Sequence, residues 1–151
     1  MKTSIFAIII LGFLAMSFNS HPIFPSKVSF EKKSLSIDKY KECIEACNSC
    51  ITSCKNCEKA CSANKIKMAK CIQLCQESVA ICTASVKLML LNSDHAKELC
   101  ATCAKVCDKC AAECDNYPTM KECKDCAAAC RKVSKLCKDM KWEDKKSVTF
   151  S

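Results

Sequence analysis

Glycine is almost missing from this chain: one residue in 151, Gly12, alongside three prolines. Phosphate-cradling loops of the P-loop or dinucleotide kind need several glycines and are thereby excluded. Small secreted disulfide scaffolds are rich in loops that turn on glycine and proline, so that architecture is not the default reading even with 18 cysteines. Two histidines leave little for histidine-based catalysis. Aromatic residues make up 6% of the chain, too few for a base-stacking surface. The 24 basic side chains are interleaved with 16 acidic ones, as in KYKECIEAC (39–47) and CKNCEKAC (54–61). Interleaving of this kind describes the solvated faces of helices, and no nucleic-acid partner is expected.

Residues 1–20 place Lys2 ahead of an apolar run from Ile5 to Ala15, the pattern of a secretory signal. The run is short for a membrane span, so stable membrane insertion is not expected. Cleavage is expected after Ser17 or Ser20. Loss of Lys2, the charged residue in this segment, lowers the formal charge from +8 to +7. The mature chain is then exported to a periplasmic or extracellular compartment. Residues 21–39 hold Pro22 and Pro25 without a sustained period and read as an extended leader.

From Tyr40 the texture changes. Cys43, Cys47, Cys50, Cys54, Cys57 and Cys61 recur at alternating intervals of four and three, which sets all six on one stripe of a helix. A strand would scatter them over two faces. The alternation returns at Cys71, Cys75 and Cys82, at Cys100, Cys103, Cys107, Cys110 and Cys114, and at Cys123, Cys126, Cys130 and Cys137. Polar breaks at 62–65, 92–94 and 115–119 separate the four stripes. Ser93 or Asp94 and Thr119 are the expected N-caps of the third and fourth helices, with Glu122 completing a capping box. Connections this short make neighbours antiparallel. The predicted fold is all-α: an up-down-up-down four-helix bundle over 40–140 with a cysteine-lined core, followed by a flexible tail at 141–151.

Heptad positions a and d of the four helices face a common axis. On helix one they are Tyr40 and then cysteine alone; on helix two Met68, Cys71, Cys75, Ser78, Cys82, Ser85 and Met89. Helix three offers Ala96 and its five cysteines, and helix four Cys123, Cys126, Cys130, Val133, Cys137 and Met140. Aliphatic side chains such as Ile44, Ile72, Val79, Val86 and Leu136 occupy the flanks.

One buried cysteine behaves as a small hydrophobe. A whole axis of them forfeits packing, because shrinking a core leucine costs about 2–5 kcal/mol where a cavity results. Something that binds sulfur is expected to fill it. Disulfides are one candidate, and the even count permits them. However, partners three or four apart on a helix point nearly parallel, whereas a disulfide needs converging Cβ vectors. A disulfide-stapled structural protein therefore stands as the alternative. Soft metal ions are the other candidate. Zn(II) held by four thiolates carries surplus negative charge that the stripes cannot offset, although Zn(II) or general soft-metal sequestration stays open. Cu(I) replaces a thiol proton without net charge and accepts two thiolates. A single reactive CxxC at a helix start, as in thiol oxidoreductases, is not the pattern here, so enzyme activity is not expected. Nor is a metallochaperone's exposed loop pair.

Through the CxxxC pairs Cys43/Cys47, Cys50/Cys54, Cys57/Cys61, Cys71/Cys75, Cys103/Cys107, Cys110/Cys114 and Cys126/Cys130, residues 40–140 resemble the bacterial four-helix-bundle copper storage proteins. The resemblance implies high-capacity Cu(I) storage, with all 18 cysteines as metal ligands, and assembly as a homo-oligomer. Members of that family carry methionine and histidine at one bundle mouth. Met89, Met140 and His95 are the corresponding candidates here for admitting the metal.

Overall fold

The computed structural model describes residues 38–142, and within them four helices follow one another: α1 (Lys41–Cys61), α2 (Lys65–Leu90), α3 (Ala96–Cys114) and α4 (Lys121–Asp139). Strands do not occur among the described residues. Each helix packs against its sequential neighbours, and α1 closes the ring against α4. The result is the antiparallel four-helix bundle that the four stripes predict.

The turns explain where each helix stops. A single 3₁₀ turn, Ser62–Asn64, reverses the chain between α1 and α2, and the Ser62 hydroxyl donates to the Glu58 carbonyl at 2.9 Å. α2 ends in a Schellman motif. There Asn92 takes a left-handed conformation with φ 49°, its N–H reaches the Met89 carbonyl at 3.0 Å, and the Ser93 N–H reaches Leu88 at 3.0 Å. Asparagine tolerates this φ far better than a β-branched residue would.

Two expected caps are displaced. The N-cap of α3 is His95 and that of α4 is Met120, and neither makes a side-chain capping bond. In both cases a tight turn occupies the residues read as caps: the Ala96 N–H bonds the Ser93 carbonyl and the Met120 N–H bonds the Tyr117 carbonyl, each at 3.1 Å. Pro118 sits second in the latter turn, where its fixed φ belongs. Thr119 is thereby used up inside the turn. The Ser93 hydroxyl instead accepts the His95 N–H at 3.3 Å.

The interior consists of the a and d residues, and all 18 cysteines are buried. Buried alanines (Ala46, Ala104, Ala111, Ala127) let the helices approach, and Ile44, Ile51, Ile72, Val79, Val86 and Leu136 pack half-buried along the seams. Exposed pairs tie the outside: Lys138 to Asp108 at 2.6 Å, the Gln76 amide donating to Glu58 at 2.7 Å, and Arg131 to Asp115. Exposed ion pairs contribute about 0–1 kcal/mol each, so packing along the sulfur axis dominates. No described helix is long and apolar enough to cross a membrane.

Candidate metal centre

Two ladders of side chains build the axis. In the first, α1 and α4 face each other in constant register. Cys43 lies 3.5 Å from Cys137, Cys50 3.5 Å from Cys130, Cys54 3.5 Å from Cys126 and Cys57 3.6 Å from Cys123, sulfur to sulfur. The same register sets Cys47 opposite Val133 and Tyr40 opposite Met140. In the second ladder α2 faces α3, with Cys71 3.8 Å from Cys114, Cys75 3.9 Å from Cys110 and Cys82 3.6 Å from Cys103. It follows that Ser78 stands opposite Cys107, Ser85 opposite Cys100, Met89 opposite Ala96 and Met68 opposite Tyr117.

The ladders touch across the axis. Cys57 reaches Cys71 at 3.8 Å and Cys114 at 4.0 Å, and Cys126 reaches both Cys75 and Cys110 at 3.9 Å. Helical neighbours join as well, at 3.8 Å for Cys50/Cys54 and for Cys57/Cys61. None of the 18 sulfurs is bonded to another in a disulfide. Groups whose sulfurs all fall within 4.8 Å of one another include Cys54/Cys110/Cys126/Cys130, Cys57/Cys61/Cys71/Cys123, Cys57/Cys71/Cys75/Cys114 and Cys75/Cys110/Cys114/Cys126, together with the trio Cys43/Cys100/Cys137. Thiolates so spaced can share soft cations between two or three sulfurs.

Electrostatics narrow the choice of ion. No lysine or arginine is buried among the described residues, so surplus negative charge on the axis would go uncompensated at a cost of several kcal/mol per ion. Glu113, the one buried carboxylate among the described residues, lies off the axis and pairs with Lys70 at 3.2 Å. Within the axis the thiols share their protons. The Cys114 thiol hydrogen-bonds Cys57 and holds it down to about 3, while burial pushes Cys123 up to about 12, helped by its bond to Cys57. Cys100 is drawn down by Cys137 but driven further up by Cys43 and by burial, ending at about 12. Burial likewise raises Cys61. Such a proton-sharing chain is suited to a cation that takes the place of the proton.

The two ends of the axis differ. At one, Tyr40 is buried and its ring meets Trp142 at 5.6 Å between centroids, with the Lys39 ammonium 4.8 Å from the Tyr40 centroid. Met89 is fully buried beneath, and Met140 is half-buried. His95 stands in solvent, 3.9 Å from the Glu98 carboxylate. So the structure brings Met89 and Met140 to the same end of the core and leaves His95 on the outer surface. At the other end Tyr117 and Met120 pack half-buried against the core, and Met68 is buried. The Tyr117 hydroxyl donates to the Lys67 carbonyl at 3.3 Å and to Glu113 at 3.4 Å.

Sequence reasoning placed every cysteine on the axis but gave no part to Tyr117, Met120 or Trp142. Trp142 falls two residues into the expected tail yet packs on Tyr40; a lone large aromatic just past the last cysteine was the available signal. The remainder of that tail, the signal segment and the leader up to residue 37 lie outside the described residues.

A helical bundle whose interior is lined by two ladders of thiols, none of them in a disulfide, defines a class of protein that holds soft metal ions. Residues 36–142 match the copper storage protein family, and the chain belongs to it. Its fold is similar to that of a Cu(I)-bound copper storage protein, Csp3, with 35% identity and a TM-score of 0.65 over 68% of this chain and 97% of that one. Apo Csp3 of Bacillus subtilis is similar at 36% identity and TM-score 0.63, covering 67% and 97%. A protein of Nitrosospira multiformis is similar at 28% identity and TM-score 0.61, covering 68% and 94%. An uncharacterized cysteine-rich protein of Bacillus subtilis, YhjQ, is 36% identical over 73 residues, which is 48% of this chain and 67% of that protein.

Proposed function

We propose that the protein stores Cu(I) at high capacity, with all 18 cysteines as ligands. One observation carries the reading: all 18 sulfurs are buried and none is in a disulfide, and 16 of them stand 3.5–4.0 Å from another sulfur in clusters strung along the core. Cu(I) is the ion that fits a site without buried cations. Each ion that displaces a thiol proton leaves the charge of the axis unchanged, and the proton leaves to solvent. Two-coordinate sulfur bridges need no movement of the helices, because neighbouring thiols already stand within reach. The Cu(I)-bound relative supports the same ion.

The chain's role is capacity and not chemistry. Every thiol is shielded, so substrates larger than an ion have no access, and no catalytic activity is assigned. Met89 and Met140 serve as weaker thioether stepping points for ions crossing the Tyr40 end, with His95 on the outer surface. Lys2 and the Ile5–Ala15 run support export of the chain. The experiment that tests the storage reading is anaerobic Cu(I) titration of the reduced protein against a high-affinity chelator, with free thiols counted in parallel. Binding that approaches the cysteine count of 18 is expected. Saturation at one or two ions, or nine intact disulfides in the native protein, would move the assignment to a stapled structural bundle.

A further inference from the structure

Ser78 and Ser85 lie on the α2 stripe, fully buried, and neither hydroxyl has a hydrogen-bond partner. That is unusual for a serine inside a helix, where the carbonyl one turn back is a ready acceptor. Elsewhere in this bundle hydroxyls take it: Thr52 donates to Asn48, Thr83 to Val79 and Thr102 to Glu98, at 3.2, 2.7 and 3.2 Å. Thr83 does so on α2 itself, between the two serines. Ser78 and Ser85 forgo the corresponding bond, so their hydroxyls are left available to the axis. The α2/α3 register sets them opposite Cys107 and Cys100.

What a hydroxyl can do there changes as the core loads. In the metal-free axis an S–H group can both donate and accept, and neighbouring sulfurs satisfy one another, as Cys82 does with Cys103 and Cys107 at 3.6 and 3.8 Å. Each Cu(I) removes one S–H donor and leaves a more electron-rich thiolate acceptor. As the S–H donors are used up, and with no lysine or arginine buried beside them, the hydroxyls of Ser78 and Ser85 are the donors that the axis keeps between its two ends, among the described residues. Hydrogen bonds to charged acceptors are the stronger kind.

Resting on the copper-storage reading, we infer that Ser78 and Ser85 are built-in donors to Cu(I)-bound thiolates, Ser78 toward Cys107 and Ser85 toward Cys100. They tune how tightly the surrounding copper is held without being ligands themselves. An oxygen ligand would be a poor match for this soft ion. The third buried hydroxyl, Ser134, lies off the stripe near Asp108 and serves as the internal control.

The test compares the full chain with Ser78→Ala/Ser85→Ala and with Ser134→Ala. Three quantities are read: the denaturant midpoint of the reduced metal-free protein, the number of Cu(I) ions bound, and the Cu(I) affinity by chelator competition. The double variant is expected to keep its capacity, to unfold metal-free at an equal or higher midpoint, and to hold its weakest-bound copper about tenfold less tightly. Ser134→Ala is expected to leave affinity unchanged. Capacity lower by about two ions would make the serines direct ligands and overturn the inference. Unchanged affinity in the double variant would overturn it too, as would a metal-free midpoint that falls as far as the loaded one. The wild-type titration run alongside separates these results from failure of storage itself, which would show as a wild type binding one or two ions.

Discussion

The two halves of the bundle use the same helices to different ends. Toward the α1–α2 turn the rungs Cys50/Cys130, Cys54/Cys126 and Cys57/Cys123 on one ladder and Cys75/Cys110 and Cys71/Cys114 on the other are all sulfur. Toward Tyr40 the thiols are diluted, since Val133, Ser85 and Ser78 each replace one partner of a rung, and the last rungs, Met89/Ala96 and Tyr40/Met140, contain no thiol. The dense half gains binding capacity and forfeits ordinary packing. The diluted half carries large side chains among its thiols, whereas Met68, Tyr117 and Met120 only close the far end of the dense half. Bulk and sulfur are thus distributed unequally along one axis.

The comparison breaks most visibly if the dense half is emptied. Replacing Cys57, Cys71, Cys75 and Cys114 with serine is expected to remove about four Cu(I) ions in a chelator titration, and replacing Cys43, Cys100 and Cys137 about three while leaving the dense half's affinity intact. Equal loss of affinity throughout from either set would show that the halves are not separable. On the stability side, Met89→Ala opens a cavity at a fully buried position and is expected to cost about 2–5 kcal/mol in metal-free urea unfolding, with copper capacity nearly unchanged.

Alkaline pH is expected to act on the metal-free form. Burial lifts the Cys123 thiol from 9.0 to about 12, so the folded chain holds that proton more tightly than the unfolded chain. The resulting stabilisation is complete below pH 9.0 and drains away as the pH rises toward 12. Thermal unfolding of the reduced protein between those limits should fall, while the copper-loaded protein, whose thiols have already lost their protons, should hardly respond. A smaller effect tests the dilution directly: Val133→Cys completes the rung opposite Cys47 and is expected to add about one Cu(I). The smallest is kinetic. Met89→Leu with Met140→Leu, a volume-similar exchange, is expected to slow stopped-flow loading several-fold with final capacity kept, and unchanged rates would place the route of copper elsewhere.

Much of this was legible because cysteine here marks the buried face as plainly as leucine does in other bundles. A strict four-three alternation fixes a helix, its face and its partners' faces at once, so the four helices, the axis and every sulfur position could be read from spacing. What escaped depends on chain reversal and on contacts between distant segments. Thr119 is a cap by type, but Pro118 commits Tyr117 to Met120 to a tight turn that absorbs Thr119 and moves the cap to Met120. The register of the ladders, and with it the pairing of Ser78 with Cys107 or Cys47 with Val133, is set by how the turns place one helix against the next, which periodicity alone does not encode. Trp142 is conspicuous by its type, but its partner Tyr40 lies across the full length of the bundle sequence, so the contact itself has no local signature.

Whether the thiol-lined axis is the copper store can be read from a crystal structure of the reduced protein loaded anaerobically with Cu(I), with anomalous data collected at the copper edge. A column of copper peaks inside the bundle is expected, each within bonding distance of cysteine sulfur, closely spaced from Cys50/Cys130 to Cys57/Cys123 and sparser toward Tyr40. Copper confined to the outer surface, or sulfur pairs joined as disulfides along an axis free of metal, would contradict it.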